Sequence, residues 1–162
     1  MKKLVISMVL MLVVVGLFST SISVGYGALH GGMGAKGVIS MGGTAKGEDS
    51  GLVIGVGTFD GETWLEAGVQ FDFDGYYTAI VYGGIATETQ WTSWEDDEEK
   101  KVINGLTIVG GKIINLDSEK HWMINIDAGY SWGKTTFFEG TNWEYEYDFS
   151  TLTFDVGLGY RF

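Results

Sequence analysis

Two histidines are the residues of this chain best suited to proton transfer, and neither stands at a recognisable catalytic spacing. His30 has Ser93 and several carboxylates as possible companions. Acyl transfer by such a set needs the nucleophile, the base and the orienting acid to converge in space. His121 precedes Trp122 and reads as a turn residue. The densest charge lies in Trp91-Thr92-Ser93-Trp94-Glu95-Asp96-Asp97-Glu98-Glu99. An acidic loop with Trp91 and Trp94 can take a basic partner or a divalent cation such as calcium through several carboxylate oxygens. Its spacing is not that of an EF-hand loop, and no Gly stands where that turn needs one. The simpler expectation is a solvated hairpin tip. Asn142-Trp143-Glu144-Tyr145-Glu146-Tyr147 repeats the acidic and aromatic character.

Composition narrows the chemistry further. There is no Cys among the 162 residues, so disulfides, cysteine zinc clusters and thiol nucleophiles are excluded. Two His cannot make an all-histidine metal cage. A formal charge of −11 argues against nucleic acid, whose phosphates call for a basic surface. Hydrophobic content of 45% is too high for a disordered chain. No cofactor is expected.

The first residues read as an address. Met1-Lys2-Lys3 is a short positive segment, Leu4 to Phe18 is almost wholly apolar, and Ser19-Thr20-Ser21-Ile22-Ser23 follows. That is the layout of a cleavable signal peptide, 1–21, with a cut after Ser21 or Ser23. The apolar run is shorter than the ~20 residues that a spanning helix needs. The single domain then covers 22–162.

That domain reads as strands with a period of two. Trp122, Ile124, Ile126, Ala128, Tyr130 and Trp132 alternate with Met123, Asn125, Asp127, Gly129 and Ser131. Leu152, Phe154, Val156, Leu158, Tyr160 and Phe162 alternate with Thr, Asp, Gly and Arg. Residues 63–73 do the same, with Leu65, Ala67, Val69, Phe71 and Phe73 on one face. Asp60-Gly61 and Asp74-Gly75 are two-residue hairpin turns, whose type I′ geometry needs positive φ at both positions. Strands are expected at 22–29, 35–44, 51–59, 62–73, 76–88, 102–115, 122–138 and 147–162, as an antiparallel up-and-down meander. The second fits either parity. In the sixth, Ile103, Thr107, Val109 and Ile113 are assigned to the apolar face, opposite Asn104, Gly110 and Lys112.

Alternation alone does not say which face is inside. A soluble barrel puts its apolar residues inward, and a membrane barrel does the reverse. The polar face carries much Gly, including Gly55, Gly68, Gly129 and Gly157. Gly weakens a water-facing strand but relieves crowding in a narrow lumen. Trp122 to Trp132 spans about 33 Å at ~3.3 Å per residue. Tilted by about 40°, it projects to roughly 25 Å, the height of an outer-membrane apolar band. The polar face is therefore expected inside.

The chain at this point resembles the small eight-stranded bacterial outer-membrane proteins, such as the OmpA membrane domain and OmpX. The resemblance covers about residues 22–162. Its most specific part is the last strand, which ends in Phe162 behind Phe154, Val156, Leu158 and Tyr160. The resemblance implies an eight-stranded transmembrane β-barrel in the bacterial outer membrane. It also implies that this row is the signal read by the barrel-assembly machinery.

On that fold, connections 45–50, 74–75 and 116–121 face the periplasm, and 30–34, 60–61, 89–101 and 139–146 face outward. Phe73, Tyr76, Trp122, Tyr130, Trp132 and Tyr160 would form an aromatic girdle in contact with outer-membrane lipid. Glu66, Asp72, Asp127 and Asp155 would share a lumen network with Lys112 and Arg161. Buried carboxylates can be acid/base pairs, but such a network is more often structural. A non-enzymatic barrel, with no open pore and with acidic aromatic outer loops for surface interactions, is the leading expectation. The alternatives are a membrane-embedded lipid A-modifying enzyme using His30, and a soluble periplasmic barrel for an apolar ligand.

Overall fold

The computed structural model describes residues 20–41, 50–91 and 98–162. Residues 1–19 of the expected signal segment, residues 45–49 of connection 45–50 and residues 92–97, Ser93 and Trp94 among them, lie outside them. Eight antiparallel strands pair in chain order and close into a barrel. They are β1 (Ser21–Gly27), β2 (Gly32–Ser40), β3 (Gly51–Phe59), β4 (Glu62–Phe73), β5 (Tyr76–Trp91), β6 (Glu98–Asn115), β7 (Trp122–Phe137) and β8 (Tyr145–Arg161). The barrel closes by pairing β1 with β8, from Ser21–Arg161 to Tyr26–Val156. Closure matters because an unpaired strand edge is an open template for association.

Local sequence explains the turns. Asp60 and Gly61 have φ of 50° and 80°, and Asp74 and Gly75 have 50° and 81°. These are the two positive-φ positions that a type I′ turn demands, supplied by the residues that tolerate it best. The turns 74–75 and 116–121 share one end of the barrel with Phe162, here the lower end. Turns 60–61 and 138–144 lie at the upper end.

The face assignment is the fold's main physical statement. Val24, Leu65, Tyr82, Ile126, Phe154 and Leu158 point outward and are exposed, while Lys36, Glu66, Asp127, Asp155 and His30 are buried inside. Phe73, Tyr76 and Trp122 are exposed on the outside at the lower end, joined by the half-buried Tyr160. Tyr130 and Trp132 are exposed higher up. Trp122 and Tyr160 face each other across β7 and β8 with ring centroids 5.2 Å apart.

β6 corrects the sequence reading. Ile103, Thr107, Val109 and Ile113 are buried inside the barrel, and Asn104, Gly110 and Lys112 are outside. The reason is that both faces of β6 are apolar. Val109 and Ile113 join Val38, Val53, Ala79 and Val81 in the interior cluster, while Ile108 and Ile114 point outward. Lys112 is therefore no part of the lumen. It pairs with Ile126 in register and holds its ammonium 5.1 Å from the Tyr76 ring centroid. A long cationic side chain beside an aromatic ring at the barrel's end fits a snorkelling position.

The barrel is taller on one side. β5 reaches Trp91 and β6 starts at Glu98, so the outer connection is shorter than 89–101. The extension carries Thr87, Glu88, Thr89, Lys100 and Lys101, a strand without apolar alternation. A register shift between Gly84 and Ala86 sets Ile85 into an upper cluster with Ala86, Ile103, Tyr147 and Phe149.

Candidate functional site

The interior polar groups converge on the turn that joins β1 to β2. Ala28–His30 forms a single 3₁₀ turn, bounded by Gly27, Gly31 and Gly32 at φ of 137°, 64° and 85°. Those angles are open to Gly and strained for other residues. They let the turn fold into the barrel, where Leu29 and His30 are both 0% exposed. His30 therefore does not sit in an exposed connection.

Three residues form an ordered chain there. Ser23 Oγ is 2.9 Å from His30 Nε2, and His30 Nδ1 is 2.7 Å from Asp155 Oδ1. The Leu29 backbone N–H donates to Asp155 Oδ2 at 2.9 Å. The imidazole thus bridges the two, sharing a hydrogen bond with the Ser23 hydroxyl through Nε2 and standing in contact with the Asp155 carboxylate through Nδ1. The same order of groups activates serine in hydrolases. Here Ser23 is 2% exposed and Asp155 3%, so no carbonyl reaches the hydroxyl while the turn is seated. Gly157 shows how closely the ring packs. A Cβ there would stand 2.5 Å from His30 Nε2. In this arrangement the set clamps a turn.

Around the clamp lie further lumen groups. Asp127 and Asp155 face each other directly across β7 and β8. The Tyr77 hydroxyl donates to Asp127 Oδ2, and the Lys36 ammonium lies 5.1 Å from the Tyr77 ring centroid. Gln70 Nε2 donates to Asp72 Oδ1 at 2.9 Å, and Thr107 and Ser131 join hydroxyls at 2.7 Å. Arg161 belongs to the lower end, where it donates to Asn115 Oδ1 at 3.3 Å and to the Lys120 carbonyl at 2.9 Å. Glu66 is 0% exposed, and among the described residues neither of its oxygens has a hydrogen-bond partner. The structure thus gathers Asp127 and Asp155 at one centre with Tyr77, sets Asp72 opposite Tyr77 in register, holds Arg161 at the lower end, and puts Lys112 outside.

Sequence reasoning missed Ser23, Lys36 and Tyr77. Lys36 pairs with Gly55, and Gly55 with Glu66, so the three share one inward row, which a stretch open to either parity does not select by itself.

At the upper end the acidic stretch is only partly described. Trp91 is exposed. Glu99 stands on the part of β6 that projects beyond Trp132. There the Lys101 ammonium and the Phe138 N–H hold its carboxyl below the usual range. Lys100 bridges to Asp60 at 3.0 Å, tying β6 to the turn between β3 and β4. His121, in the lower turn, lies 3.3 Å from Glu119 and stacks on Tyr160. Among the described residues no three His, Asp or Glu are grouped to hold a metal.

Comparison with protein-family models, with curated proteins and with solved structures finds no match for this chain. The findings support a small, closed, eight-stranded antiparallel β-barrel.

Proposed function

We propose that this chain is a bacterial outer-membrane β-barrel whose role is structural and surface-interactive, with no open pore and no catalysis of its own. One observation carries the reading: large apolar side chains ring the outside while ionisable groups lie buried inside. In water that distribution is reversed, because apolar surface drives inward and isolated charges stay hydrated. In a bilayer it is what a strand barrel requires. The lumen supports the absence of a pore, since Leu29, Val53, Val81, Val109 and Met123 fill it with packed side chains.

On this reading the lower end is periplasmic, and the barrel-assembly machinery reads the row from Phe154 to Phe162. The taller wall from β5 to β8 projects outward. It presents Trp91, Glu99, Trp143 and Tyr145 to a basic extracellular partner or a divalent cation. Cell fractionation followed by added protease tests the arrangement. The chain is expected with the outer membrane, cut in intact cells near Glu95 to Lys101 and protected at Lys120. Recovery in the soluble periplasmic fraction would refute it.

A further inference from the structure

Above the Ala28–His30 turn the barrel wall is incomplete. β1 stays with β8 only as far as Tyr26–Val156, and β4 with β5 only as far as Glu66–Gly83, while β5 to β8 continue upward. The gap beside β8 opens into a void of about 420 Å³. Its lining takes residues from both faces of β8: Leu152 and Phe154 from the outward face, Thr151 and Thr153 from the inward one. The void therefore passes round the unpaired strand edge, from the outer surface into the mouth. Its size lies within the about 300–1,000 Å³ usual for small-molecule sites.

Aromatic rings follow the same path. Tyr26 stands outside, Phe59 at the rim and Trp64 inside, with successive ring centroids 6.2 and 5.1 Å apart. Trp64 is buried, and its indole N–H donates to Thr87 Oγ1 at 3.3 Å, which fixes the ring. Beside Thr87, Glu88 brings a carboxylate into the lining, and no Lys or Arg is among the described lining residues. Aromatic faces and a carboxylate together favour a cation, and most of all an alkylated ammonium. The apolar outer half, continuous with Leu152 and Phe154, favours an alkyl chain.

We propose that this void binds a single-chain amphiphile with a cationic head, which reaches it sideways from the outer leaflet of the membrane. The chain lies against Leu152, Phe154 and Tyr26, and the head lies between Trp64 and Glu88. The proposal rests on the outer-membrane reading, so its test begins with protein inserted in lipid nanodiscs.

The test is ¹⁹F NMR on protein labelled with 5-fluorotryptophan, with the Trp64 resonance assigned through Trp64→Phe. Dodecyltrimethylammonium and dodecyl sulfate are titrated at equal mole fractions. The Trp64 resonance is expected to move saturably with the cation and to stay with the anion. Thr153→Phe, which fills the void, is expected to abolish the movement while leaving the barrel heat-modifiable. Glu88→Gln is expected to weaken the cation by up to about fivefold, the scale of one partly solvated charge pair. An unmoved Trp64 resonance in inserted protein overturns the proposal. So does a response that is equal for both head charges, or that persists unchanged in both variants. Failure of the chain to enter nanodiscs at all would instead overturn the outer-membrane reading, and this proposal with it.

Discussion

His30 Nδ1 lies 2.7 Å from Asp155 Oδ1, and this contact ties the first turn of the barrel to its last strand. Both residues are sealed from solvent, so the pair is held without competition from water. Removing one partner strands the other in a low-dielectric interior. Asp155→Ala leaves the Leu29 N–H and a His30 ring nitrogen without their carboxylate and is expected to destabilise the folded barrel by about 1–3 kcal/mol, the cost of an unsatisfied buried polar group. The denaturant midpoint of the protein in lipid vesicles measures it. A midpoint unchanged within error would show that the turn is held by packing alone.

Ser23→Ala separates the clamp from catalysis. The change removes the hydroxyl next to His30 Nε2 and is expected to cost about 1 kcal/mol, the net worth of one hydrogen bond. Lipid A mass spectra from cells carrying the chain or the variant are expected to be identical. A species lost in the variant would restore the lipid-modifying reading.

Glu66 presents the opposite case. It is fully buried, and among the described residues its carboxylate oxygens find no hydrogen-bond partner. Glu66→Met keeps similar bulk and removes the polar group. It is expected to stabilise the barrel by about 1–3 kcal/mol, the penalty of an unsatisfied buried group. Loss of stability on this substitution would show that Glu66 binds something within the lumen.

Two glycines give a paired test of the packing. A Cβ on Gly157 would stand 2.5 Å from His30 Nε2, whereas a Cβ on Gly110 would meet nothing within 4 Å. Gly157→Ala is expected to displace the ring and lower stability by about 1–3 kcal/mol, as overpacking does. Gly110→Ala is expected to raise it by roughly 0.5–1 kcal/mol through the reduced freedom of the unfolded chain. Equal effects would contradict the placement of these two residues on opposite faces.

The N-terminus carries a further prediction. Ser21 pairs with Val38 and Arg161, and Ser23 holds His30, so both belong to the closed barrel. Thr20 also accepts from the Phe162 N–H at 2.9 Å. A cut after Ser21 would remove Thr20 and Ser21, and a cut after Ser23 would remove Ser23 as well. Mass spectrometry of the mature chain is therefore expected to find an N-terminus at or before Thr20. A chain starting at Val24 would show that the β1 ladder is not needed in full.

What was legible in the sequence follows from which residues had a single physical role. The hairpins at Asp60-Gly61 and Asp74-Gly75 were plain because positive φ selects those residues and few others. β4, β7 and β8 were plain because each has one apolar and one polar face. β6 was inverted because Val109 and Ile113 line the interior cluster while Ile108 and Ile114 face out. Lys36 stayed ambiguous because Lys36 to Met41 fits both parities, and only pairing with Gly55 fixes it. The inward fold of His30 had no signal of its own, since three glycines permit a turn without directing it. The upper ends of β5 and β6 were hidden because Thr87 to Gln90 and Glu99 to Lys101 extend beyond the packed interior and carry no apolar alternation.

The central claim is that the exposed apolar surface of this barrel is matched to lipid. The most direct measurement is refolding of the urea-unfolded chain, without its first 19 residues, by dilution into lipid vesicles and, in parallel, into plain buffer. Unheated samples on a denaturing gel are read for the shifted band of a folded barrel. The account predicts a heat-modifiable band that appears with vesicles and is absent from buffer, where the chain aggregates. A monodisperse folded protein in buffer, with no vesicle-bound fraction, would contradict it.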